Sequence, residues 1–163
     1  MSLNILPECH ADTLMINILG YKRVNHCNSK GDVAKVMIKD FHNKKAVGVV
    51  DKDKASKITP NYFKQFEVIQ SYSGFEVQHL KNTAHYLIVV DPVLEHFLLN
   101  LARELDIPTA KYGFHDLKSL LRITKNKHVA KNQKFKNFLN SLSQKKGSPL
   151  IQMKAEIERL LQL

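Results

Sequence analysis

Cysteine is scarce in this sequence and tryptophan is missing: 163 residues hold only Cys9 and Cys27, and no Trp. Two thiols cannot build a disulfide framework, so a small cross-linked scaffold is excluded and a reducing, cytoplasmic setting is expected. Apolar runs such as Tyr86 to Val90 fall far short of the ~20 residues a membrane-spanning helix needs, so no membrane partner is expected. The N-terminus lacks a basic stretch followed by a long apolar run, and no secretory signal is expected. Repeats, low-complexity tracts, C-x-x-C, H-E-x-x-H and phosphate-cradling glycine loops are missing too. What is present is a 44% hydrophobic content, enough to bury a core and to exclude wholesale disorder.

Acid is also missing, but only regionally. Between Asp116 and Glu156 there is none, while Lys118, Arg122, Lys125, Lys127, Lys131, Lys134 and Lys136 accumulate. Residues 111–163 carry 12 Lys/Arg against 3 acids, so they supply nearly all of the net charge of +10. A field this one-sided attracts polyanions through phosphate contacts and counterion release, and those seven residues are the expected nucleic-acid-binding set. A merely solvated helical surface is the plain alternative.

The first half alternates. "LNILPE" reads as extended, "DTLMINILG" as a helix stopped by Gly20, and "KRVNHCN" as a strand. "GDVAKVMIKDFHNK" places Val33, Val36, Met37 and Phe41 on one helix face, and "AVGVV" is a strand buried on both sides. This β-α-β-α-β order predicts an α/β domain with a mostly parallel central sheet flanked by helices. Two β-prone runs around Ser73-Gly74 predict a hairpin, and "HYLIVV" a central strand. Asp91 and Pro92 predict a helix start. After Pro108 three helical segments follow, the last beginning at Ser148-Pro149 with an apolar stripe of Ile151, Ile157 and Leu160/Leu161. The expected division is an α/β domain over 1–108 and a basic helical extension over 109–163. The final stripe either docks on its own domain or pairs with another chain as a homo-oligomer.

Four acids carry the candidate chemistry. If "AVGVV" is an inner parallel strand, Asp51 sits at its carboxyl end and Asp53 just beyond, on the edge where α/β sheets bind ligands. Glu8 would end the first strand on the same edge, with Asp12 at the start of the first helix. Hard carboxylate oxygens of this kind suit Mg²⁺ or Mn²⁺, ions that bridge to substrate phosphates. Each acid also has a plain role available: Asp12 as a helix cap, Asp51 and Asp53 as turn residues, Glu8 as an exposed loop residue.

A Glu after the first strand and a D-x-D after the third resembles the Toprim pattern of topoisomerases, primases and several small nucleases. "Glu8-Cys9-His10-Ala11-Asp12" is similar to the E-x-x-x-D variant of the overcoming-lysogenisation-defect and ribosomal-RNA maturation nucleases, over roughly residues 3 to 91. The resemblance implies Mg²⁺-dependent phosphodiester hydrolysis. Glu8 and Asp51 would be catalytic, and Glu8, Asp12, Asp51 and Asp53 would be the metal set. The chain departs from the pattern in having Cys9 where the family has Gly, and Pro7 before the Glu. A non-catalytic protein that binds DNA or RNA, or assembles with partners, is the alternative. Cys9-His10 and His26-Cys27 resemble scattered zinc ligands, but adjacent residues on an extended segment point to opposite faces. Asp91 and Glu95 could extend the acidic edge, though capping competes for Asp91. Tyr62, Phe63, Tyr72 and Phe75 could stack on bases, but aromatics near strands are more often core.

Overall fold

The computed structural model describes residues 4–52 and 59–162. Eleven elements organise them: β1 (Ile5–Pro7), α1 (His10–Ile18), α2 (Lys30–Asp40), β2 (Ala46–Asp51), β3 (Glu67–Tyr72), β4 (Phe75–His79), β5 (His85–Val90), α3 (Leu94–Glu104), α4 (Leu117–Thr124), α5 (Gln133–Gln144) and α6 (Pro149–Gln162). The strands form one sheet in the order β1-β2-β5-β4-β3. β1, β2 and β5 are parallel, while β4 and β3 are antiparallel additions. The sheet is therefore mixed and not mostly parallel. The hairpin at Ser73-Gly74 is the cause: its turn, with Gly74 at φ +82°, reverses the chain between β3 and β4.

β2 and β5 lie at the centre, and every residue of β2 is buried. Apolar residues at consecutive positions suit a strand covered on both faces. Gly48 lets α2 pack closely there. A Cβ at this position would come within 2.7 Å of a Leu87 methyl and 3.0 Å of a Val33 methyl, so both side chains would have to shift to admit it. The segment expected as a strand at Lys22–Asn28 is irregular. It nonetheless donates two backbone hydrogen bonds to β1, from Asn25 to Ile5 and from Cys27 to Pro7. This continues the parallel order outward without forming a regular ladder.

One face of the sheet is covered by α2, whose Val33, Ala34 and Met37 join Val50, Leu87, Phe63 and Phe66. The other face carries the larger core. There Leu14, Met15, Val49, Ile88, Phe97, Leu101, Leu120, Phe138, Leu142 and Ile157 belong to one continuous cluster. Residues beyond 108 thus share an interior with the sheet. Asp116 caps α4 through a reciprocal capping box with Ser119, and Asn132 caps α5. α6 opens with Pro149 at its first position, as expected. Its buried stripe is Leu150, Met153, Ile157 and Leu160, however, and Ile151 is 44% exposed. A step of one residue turns a side chain about 100° round a helix, which moves Ile151 off the buried face. Among the described residues no helix is long and apolar enough to cross a membrane.

α6 is fastened to the hairpin by a polar contact. Tyr72 donates to Glu156 Oε1 at 2.5 Å, and Arg159 donates to Oε2 through Nε at 3.0 Å and Nη2 at 2.7 Å. Burial opposes the charge on Glu156, yet the Arg159 and Tyr72 hydrogen bonds outweigh it and hold the carboxyl below its usual range. A lowered folded-state pKa contributes stability above the unfolded value of about 4.3 and loses it as pH falls through the folded one. Glu156→Gln is therefore expected to flatten the acid side of a melting-temperature-against-pH curve. Parallel curves for the two proteins below pH ~5 would contradict this.

Candidate functional site

The carboxyl ends of β1 and β2 lie side by side, with Pro7 in register with Val49. The ladder continues one step further, because the Glu8 N–H donates to the Val49 carbonyl at 3.0 Å. The Glu8 side chain then turns along the sheet edge, and its Oε2 accepts the Asp51 backbone N–H at 3.2 Å. Asp51 Oδ1 accepts the Leu94 N–H at 2.9 Å and so anchors the first residue of α3. Glu8 is 0% exposed and Asp51 2%, so neither is a solvated turn or loop residue. Ionised groups at such depth require hydrogen bonds or an opposite charge to offset their lost hydration.

Asp12 is also fully buried, in the first turn of α1. It is not the cap of that helix. Cys9 is, with its thiol accepting from the Asp12 N–H and donating to Asp12 Oδ2 at 2.8 Å. Asp91 is likewise not a helix cap: α3 begins at Leu94, and Val93 is its N-cap. Asp91 instead accepts Lys52 Nζ at 2.9 Å, while Glu76 stands 3.7 Å from the same ammonium. Asp53 lies outside the described residues.

Glu8 and Asp51 are brought together at one rim, and Asp12 is buried beside Cys9, the residue that follows Glu8. Among the described residues, however, no group of three or more His, Cys, Asp or Glu side chains is placed to hold a metal ion. The donor chemistry at the rim, two buried carboxylates on neighbouring strands, suits a hard divalent ion. The zinc arrangement does not form: His10 and His26 stack at 4.2 Å between centroids, while the buried Cys27 thiol points to the Asn25 carbonyl. His26 is bound to Thr13 at 2.8 Å, and burial followed by the neighbouring His10 lowers its pKa.

The basic segment reaches this rim through α4. Thr124 donates to Glu95 Oε1 at 2.6 Å, which ties the last turn of α4 to the first turn of α3, next to the Leu94 amide held by Asp51. From there the chain runs through exposed Lys125 and Lys127 to a single helical turn, Val129–Lys131, that packs against α1. Lys118 and Arg122 are exposed further back along α4. Lys134 is exposed on α5, and Lys136 is half-buried there. Glu95 thus serves as a link to the basic helix. Of the aromatics considered for base stacking, Phe63 and Phe75 are core, and Tyr72 stacks on Phe75 with centroids 4.7 Å apart. Tyr62 donates to, or accepts from, His85 Nδ1 at 2.5 Å.

Comparison with known proteins returned no match: no family model, no curated protein and no solved structure is similar enough to place the chain in a family. The sequence reading missed Lys30, which is 4% exposed and donates to the Lys52 carbonyl at 2.9 Å. Its position at the start of an amphipathic helix gave no signal, since lysines there are ordinarily solvated.

Proposed function

We propose that the chain is a Toprim-like protein that hydrolyses nucleic-acid phosphodiester bonds with Mg²⁺ or Mn²⁺. The observation that carries this reading is the contact between Glu8 and the Asp51 amide at the ends of adjacent parallel strands. It gathers two buried carboxylates on the edge where such sheets bind ligands. A bound divalent ion would supply the positive charge that a phosphate needs as negative charge develops on its oxygens. Glu8 and Asp51 would hold that ion, with Asp12 and Asp53 assisting. The Glu8 carboxylate would also take the proton of an attacking water. Lys125, Lys127 and Lys131 would hold the backbone beside the acids, while Lys118, Arg122, Lys134 and Lys136 would extend the contact.

A second reading keeps the binding and drops the chemistry. It is favoured by the lack, among the described residues, of three side chains placed on one ion. One pair of measurements separates the two. For the hydrolase, Mn²⁺ raises the melting temperature of the native chain, and single- or double-stranded DNA or RNA is cut only when the ion is present. Salt-sensitive retention of nucleic acid with neither effect would establish the binding protein instead.

A further inference from the structure

Lys30 stands where elementary electrostatics disfavours it three times over. It is 4% exposed, so its ammonium has lost most of its hydration. It is the first residue of α2, after the Ser29 cap, at the end of the helix where the backbone dipole repels a cation. Among the described residues it forms no ion pair, and its contact is the Lys52 carbonyl at 2.9 Å. A buried ammonium with a single backbone acceptor offsets little of its lost hydration, so its contribution to stability is small. What it does contribute is a fixed contact.

Lys52 follows Asp51 directly, and its N–H donates to the Val90 carbonyl at 2.8 Å while its carbonyl is held by Lys30. The backbone leaving β2 is therefore gripped from β5 on one side and from α2 on the other. The Asp51 backbone is held once the peptide after it is fixed and its own N–H sits on Glu8 Oε2, while its carboxylate rests on the Leu94 N–H. We propose that Lys30 is a positioning residue of the acid rim: it clamps the Lys52 carbonyl so that Asp51 stays aligned with Glu8 for a divalent ion. This rests on the metal-dependent reading above. Holding ligands in orientation from behind is a known requirement of metal sites, where loss of such support costs about 10–100-fold in affinity or activity.

The sign of the effect makes the test decisive. Removing a cation from the peptide that follows Asp51 would, by relieving its repulsion of Mn²⁺, tighten binding. Removing a clamp loosens it. Lys30→Met in the full chain, titrated with Mn²⁺ alone by calorimetry, is expected to bind at least about tenfold more weakly than wild type. In the cleavage assay kcat is expected to fall while KM for nucleic acid stays unchanged. Equal or tighter Mn²⁺ binding with unchanged kcat overturns the role of Lys30 and leaves the parent reading standing. A wild-type chain that binds no Mn²⁺ overturns both. If Lys30→Met does not fold, Lys30→Arg retains a donor long enough to reach the carbonyl and must bind Mn²⁺ within about threefold of wild type; a tenfold loss there overturns the clamp.

Discussion

Asp51→Asn is expected to lose the Mn²⁺-dependent rise in melting temperature and more than about 100-fold of the cleavage rate, with the metal-free melting temperature nearly unchanged. The asparagine retains a side-chain oxygen for the Leu94 N–H, so the start of α3 keeps its acceptor while the rim loses a charge. Asp51→Ala removes both. Its further cost is the orphaned Leu94 amide, about 1–3 kcal/mol for a buried donor left without a partner. The alanine variant should therefore melt lower even in chelator, whereas the asparagine variant should not. Equal metal responses in wild type and Asp51→Asn would remove the acid rim from the mechanism altogether.

Replacing Lys125, Lys127 and Lys131 together by Gln is expected to weaken nucleic-acid binding about 10–100-fold at moderate salt. The slope of log affinity against log salt should fall by roughly 2–3, since each phosphate contact contributes about 0.9 on duplex DNA. The three side chains are exposed, so the fold should be spared. The same triple replacement at Lys111, Lys145 and Lys146 provides the control for charge alone. If both triples weaken binding equally, attraction is diffuse and the connection beside the rim has no special part.

Local pattern made much of the architecture legible. β2, β5, the Ser73-Gly74 hairpin and the start of α6 follow from runs of apolar residues, a two-residue turn and a proline, all of which act within a few residues. What escaped depends on distant partners or on an unusual local one. Asp91 has the sequence of a cap, but the Lys52 ammonium claims it, and α3 takes its acceptor from Asp51 on another strand. Cys9 caps α1 because its thiol lies within reach of Asp12, a contact that a search for Ser, Thr, Asp or Asn passes over. The mostly parallel expectation failed because the side on which the hairpin joins the sheet, with β4 antiparallel to β5, is a tertiary choice. The meeting of Glu8 and Asp51 was expected from strand order alone; the manner of it, through a backbone amide, was not.

One interior joins Phe97 of α3, the helix that Asp51 anchors, to Phe138 of α5 and Ile157 of α6. The acid rim and the basic helices are therefore built on a single core. Denaturant should melt both in a single transition, and severing the polypeptide near residue 108 would leave two fragments, each with half of that core bared to water.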